Sequence, residues 1–116
     1  MESRGFVFAP LVAAELCLPF APVRKAGKLP GDCKALAYGL EYGAAKIEMQ
    51  TDALPVGSRV VICDDLLATG GTLVAACTLA TQMRLDVRAC MVLVELEGLK
   101  GAATVPVRTY TLLTRP

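Results

Sequence analysis

A chain of 116 residues, 54% hydrophobic and 20% charged, has the make-up of one folded domain spanning residues 1–116, not of a disordered tail. Twelve Lys and Arg against eleven Asp and Glu leave a net charge of +1, which gives no sign of a nucleic-acid partner. No apolar run approaches the ~18 residues of a membrane helix, so the mean hydropathy of +0.51 reads as a buried parallel sheet or a surface that a partner covers.

The first residues, Met1-Glu2-Ser3-Arg4, open on a charge pair and lack a signal-peptide pattern. Residues 5–18 predict a helix, with Phe6, Leu11, Ala14 and Leu18 at helical spacing and Pro19 to end it. Residues 20–23 predict a short strand, and residues 24–31 a basic, Gly/Pro-rich loop. Residues 38–42 and 46–50 flank Gly43. Ile47 and Met49 alternate with Lys46, Glu48 and Gln50, so these runs predict a projecting β-hairpin.

Residues 52–58 carry Pro55 and Gly57 and predict a turn. Residues 59–63 then predict a strand covered on both faces. Residues 71–83 predict a helix, 87–96 a second buried strand, 97–103 a short helix and 105–113 a last strand. Strand–helix–strand alternation predicts an α/β fold: a mostly parallel sheet flanked by helices.

The five cysteines have no C-x-x-C spacing, and the chain contains no histidine. A structural zinc site is therefore not expected, and no metal-ligating residues are assigned. Cys63, Cys77 and Cys90 sit in apolar runs and read as small buried hydrophobes. Free thiols suit a reducing cytosol, so a cytoplasmic location is expected.

The segment that carries chemistry is Val60-Val61-Ile62-Cys63-Asp64-Asp65-Leu66-Leu67-Ala68-Thr69-Gly70-Gly71-Thr72. Ligands in open α/β sheets bind at the carboxyl ends of strands, where residues 59–63 place Asp64 and Asp65. Adjacent carboxylates can accept hydrogen bonds from vicinal hydroxyls. Gly70 and Gly71 let backbone approach a ligand closely. The amides there, with the leading end of the next helix, make an anion nest. Thr69 and Thr72 add hydroxyl donors. A phosphorylated ribose meets both demands. A Walker loop is excluded because no Lys follows Gly71, and G-x-G-x-x-G is absent.

This segment resembles the phosphoribosyl-pyrophosphate motif of the type I phosphoribosyltransferases. Its wording, with Glu2-Ser3-Arg4-Gly5-Phe6, residues 24–31, Leu40-Glu41-Tyr42-Gly43, Val94-Glu95-Leu96 and Leu99-Lys100-Gly101, is similar to the adenine branch. The resemblance implies the type I phosphoribosyltransferase fold and transfer of phosphoribose from phosphoribosyl pyrophosphate to adenine. The products would be AMP and pyrophosphate, with Mg2+ bound through the pyrophosphate. It implies that Asp64 and Asp65 hold the ribose hydroxyls and that Ala68, Thr69, Gly70, Gly71 and Thr72 hold the 5′-phosphate. Arg4 and Glu41 would be the catalytic residues, Arg4 in the pyrophosphate loop and Glu41 on the mobile hairpin. Lys25 and Lys28 would reach pyrophosphate, in the same copy or across a dimer interface, Tyr42 would lie beside Glu41, and Leu96 would line the base pocket. A homodimer is implied. Relatives in the family are longer at the N-terminus, so the resemblance implies an N-terminally truncated fold without the first strand and preceding helices, and with two strand edges unpaired. The alternatives are a non-catalytic ribose-phosphate-binding relative, an inactive fragment, a partner subunit, or an enzyme for another base such as hypoxanthine, guanine, xanthine or orotate.

Overall fold

In a computed structural model of the chain, residues 1–39 and 45–116 are described. A 3-10 turn, Arg4–Val7, leads into α1, Ala9–Glu15. The continuous helix expected over residues 5–18 is thus two shorter pieces. Pro10 is the reason: it lacks the N–H that a through-going helix would need there, yet it fits the first turn of a new one.

No strand forms over residues 20–23, where Pro22 offers no N–H to a ladder. The strand comes directly after them, as β1, Arg24–Lys25, inside the expected loop. The hairpin forms from β2, Cys33–Tyr38, and β3, Ala45–Gln50. Its first strand starts earlier than the sequence pattern suggests, because Cys33 and Lys34 pair with Gln50 and Met49. The residues expected to matter at 40–43, Glu41 and Tyr42 among them, lie outside the described residues. The three strands make an antiparallel sheet in the order β1-β3-β2.

The second half is parallel. β4, Arg59–Leu67, is followed by α2, Gly71–Gln82, and β5, Asp86–Leu96. The helix is the crossover that a parallel pair requires. β6, Thr109–Arg115, adds on the far side, giving the order β4-β5-β6. It starts later than expected, past Pro106. The short helix over 97–103 is two 3-10 turns, Glu97–Leu99 and Gly101–Ala103. Lys100 breaks them apart in the left-handed region, at φ 51°.

α2 explains how the two sheets hold together. It is apolar on more than one face: Leu73, Ala75, Ala76, Cys77, Leu79 and Ala80 are all buried. Ala75, Ala76, Leu79 and Ala80 pack with Ile47 and Met49 of the antiparallel sheet. Leu73 and Cys77 pack with Cys90 and Val92 of the parallel sheet. Cys77 and Cys90 are free thiols whose Sγ atoms lie 3.7 Å apart.

Among the described residues, β4 pairs only with β5. Its other edge is met by the chain's first residue: the Met1 amine donates to the Cys63 carbonyl at 2.7 Å. The Glu2 amide donates to the Val23 carbonyl at 3.0 Å. Met1 and Glu2 thereby join β4 to the segment before β1. Leu11, Leu16 and Leu18 of the α1 region and Val61 of β4 are exposed.

Candidate functional site

A cleft of about 510 Å³ opens where the two sheets meet α2, lined by residues 1–4, 23–25 and 64–73 with Tyr38 and Ile47. β4 supplies one wall. The parallel ladder runs on past Cys63, pairing Leu66 with Val94 and Leu67 with Glu95. Asp64 and Asp65 therefore lie inside β4, not beyond its end as residues 59–63 alone suggested. A strand presents successive side chains to opposite sides, and the two acids live in different surroundings.

Asp64 is 7% exposed. Its Oδ1 accepts the Asp65 amide at 3.0 Å, and Gly5 packs against it closely enough that a Cβ there would sit 3.1 Å from Oδ1. Burial pushes its pKa up to about 6, against the opposing pull of the Met1 ammonium. Burial in turn lowers the pKa of that ammonium, although Asp64 opposes the shift. Asp65 is more open. Burial alone would raise its pKa, but the Arg4 guanidinium, with Nε 2.5 Å from Oδ2, turns the net shift downward. The same hydrogen bond raises the pKa of Arg4.

The floor of the cleft is the turn over residues 68–72. Gly70 caps α2 with φ 90°, a left-handed conformation that suits glycine. Its carbonyl accepts the first helical bond, from the Val74 amide at 2.9 Å. No side chain caps the helix, so the amides of Gly71, Thr72 and Leu73 have no intrahelical acceptor. Those amides and the positive end of the helix dipole are suited to receive an anion. The turn is braced from behind by residues 101–104. A Cβ on Gly101 would stand 2.9 Å from the Gly70 nitrogen, and Thr104 Oγ1 lies 2.8 Å from the Gly101 carbonyl and 3.1 Å from that of Thr69.

The structure thus gathers Arg4, Lys25, Asp64, Asp65, Ala68, Thr69, Gly70, Gly71 and Thr72 around one space. Lys28 is exposed and does not line that space. Leu96 is half-buried at the far end of β5, opposite Arg115 of β6, and does not line it either. Neither placement bears on the expected roles, which put Lys28 on pyrophosphate across a dimer interface and Leu96 in a separate base pocket. Two further groups were missed as site residues. Arg24 lines the cleft and is paired through Nε to Glu2 at 2.8 Å. Gly101 and Thr104 brace the turn from a distant part of the chain, and only Gly101 had a trace in sequence, in Leu99-Lys100-Gly101. Among the described residues, no three His, Cys, Asp or Glu side chains gather as a metal cage.

The family model described as the phosphoribosyl transferase domain matches residues 1–114. The adenine phosphoribosyltransferase of Stochomys longicaudatus is 52% identical over 114 residues, 97% of this chain and 63% of its own length. Among solved structures, the Saccharomyces cerevisiae enzyme complexed with an imino-altritol bisphosphate and adenine is 46% identical. It superposes with a TM-score of 0.92 over 97% of this chain and 64% of that one. The enzyme from Rhodothermus marinus is 45% identical, with a TM-score of 0.93 over 98% of this chain and 66% of that one. The chain therefore spans a little under two thirds of the length of these relatives. These similarities lead to one conclusion: the chain belongs to the phosphoribosyl transferase domain family and has the type I phosphoribosyltransferase fold.

Proposed function

We propose that the chain carries adenine phosphoribosyltransferase chemistry: adenine displaces pyrophosphate from C1 of phosphoribosyl pyrophosphate, giving AMP. One observation carries the proposal. Two carboxylates and an uncapped helix end line the same cleft as Arg4, Arg24 and Lys25. A ribose whose hydroxyls reach Asp64 and Asp65 would lay its 5′-phosphate on the amides of residues 68–72. Its C1 pyrophosphate would then lie toward the cationic wall.

The reaction breaks a C1–oxygen bond. Positive charge develops on the ribose ring and negative charge on the departing pyrophosphate. Fixed cations near the leaving group stabilise that charge. Arg4, Arg24 and Lys25 would serve there, and the Asp64–Asp65 pair would favour the cationic ring. Asp65 is tied to Arg4 at 2.5 Å, so a ribose hydroxyl that takes Asp65 would release Arg4 toward pyrophosphate. By the family resemblance, Glu41 assists proton movement on the purine, and Tyr42 belongs to the same ligand-binding set. Leu96 and Lys28 keep their family roles in the proposal, with Lys28 acting on the pyrophosphate of a neighbouring copy in a homodimer.

Mg2+ belongs with the substrate. The donor set fits an ion carried by pyrophosphate better than one caged by protein: two carboxylates stand on one wall and one of them is already paired to Arg4. The ion would neutralise the leaving group. A cytoplasmic location goes with the same proposal, the five cysteines being free thiols.

The test mixes purified chain with adenine, phosphoribosyl pyrophosphate and Mg2+ and follows AMP by chromatography. AMP formation that disappears in Arg4→Ala supports the proposal. Binding of ribose 5-phosphate without turnover would reduce it to a ribose-phosphate-binding relative, and neither would end it.

A further inference from the structure

Residues 24–29 carry three cations, Arg24, Lys25 and Lys28, and Arg24 and Lys25 line the cleft. Little regular structure holds them. β1 is two residues long and makes two register pairs with β3, far short of what fixes a strand by its ladder alone. Three cations within five residues also repel one another.

Two carboxylates supply what the ladder does not. At one end, Glu2 Oε2 accepts from Arg24 Nε at 2.8 Å and Oε1 from the Lys25 amide at 3.0 Å. At the other end, Glu48 Oε1 accepts the Lys28 amide at 3.0 Å and the Leu29 amide at 2.9 Å. Glu48 is 6% exposed, where a carboxylate is tolerated only with partners. Its pKa is held below the ordinary range by the Leu29 and Gly27 amides. The alternation of β3 marks Glu48 as a solvent-facing position; the loop folded over it makes it buried. Both carboxylates grip backbone N–H groups of lysine residues and leave the ammonium groups alone. Among the described residues the Lys25 ammonium enters no ion pair.

We propose that Glu2 and Glu48 are positioning residues for the cationic wall. They fix residues 24–29 from both ends, so that Arg24 and Lys25 face the leaving-group side of the cleft before ligand arrives. A wall already in place loses less side-chain and loop entropy on binding. The proposal rests on the cleft being a phosphoribosyl pyrophosphate site, and it predicts a split between the two halves of that ligand. The pyrophosphate half depends on the clamp. The ribose phosphate half, held by residues 64–72, does not.

The experiment titrates inorganic pyrophosphate and, separately, ribose 5-phosphate into the full chain and into Glu2→Gln, Glu48→Gln and Glu48→Ala, with a thermal melt of each. Glu48→Ala should raise the Kd for pyrophosphate about tenfold, the scale of a lost charge-assisted hydrogen bond. Glu48→Gln, which keeps an acceptor oxygen, should recover part of that loss. Ribose 5-phosphate affinity should stay within about twofold throughout. If Glu48→Ala does not fold, the two Gln variants read the same split. Unchanged pyrophosphate affinity in folded variants overturns the proposal, and so does equal weakening of both ligands. A parent chain that binds ribose 5-phosphate but not pyrophosphate overturns the clamp and spares the phosphate turn. A parent that binds neither overturns the reading of the cleft and the clamp with it.

Discussion

Asp64 and Asp65 are chemically identical neighbours, and the fold makes them unlike. Asp64 is closed in by Gly5 and Met1; Asp65 meets Arg4. An acid whose pKa is higher in the folded chain than in the unfolded one holds extra protons in the native state. Stability then falls as pH rises through the interval between the two values. For Asp64 that interval runs from 3.8 to about 6. Asp64→Asn should remove this loss: the melting temperature of the variant relative to the parent should climb from pH 4 to pH 6 and stay level above. A difference that does not vary with pH would show that Asp64 is not the titrating group. Glu2, Glu48 and Asp65 have lowered pKa values and act in the opposite sense, losing their stabilisation only as pH falls through those lower values. Asp65→Asn should weaken ribose 5-phosphate binding by about 1–3 kcal/mol, read by calorimetry. Unchanged affinity would remove Asp65 from hydroxyl binding.

At the scale of elements, the unit that matters is β4, its turn and α2. The turn needs Gly70 twice over, for its φ of 90° and for the space it leaves. A Cβ there would stand 2.7 Å from the Gly101 carbonyl and would overlap Thr104 Oγ1. Gly70→Ala should therefore destabilise the chain by about 1–3 kcal/mol and abolish ribose 5-phosphate binding, checked by denaturant unfolding and by titration. The same substitution at Gly57, which also has positive φ but nothing within 4 Å, should cost stability without touching ligand affinity. The element boundaries show why residues 68–72 were legible beforehand and their brace was not. Turn and helix cap are written within a few adjacent residues, whereas Gly101 and Thr104 reach the turn from over thirty residues away.

For the whole molecule, α2 is the joint between an antiparallel and a parallel sheet, and the cleft exists because both sheets contribute walls to it. Leu79, 0% exposed, belongs to the cluster that ties α2 to Ile47 and Met49. Leu79→Ala should cost about 2–5 kcal/mol by denaturant unfolding. It should also loosen the wall that carries Lys25, weakening pyrophosphate more than ribose 5-phosphate. Equal loss of both ligands would mean that the sheets do not move independently.

The sequence by itself determined what is local: a strand that carries two adjacent acids, a glycine turn, a helix and a second parallel strand after it. Those features arise from side-chain periodicity and from backbone freedom at glycine, which act over a few residues. Only the tertiary structure decided which cations face the cleft. It brought Arg4, Arg24 and Lys25 in, left Lys28 and Leu96 outside, buried Glu48 beneath a loop, and split two adjacent aspartates into different protonation behaviour. Those outcomes depend on burial and on partners distant in the chain, and no local pattern encodes either.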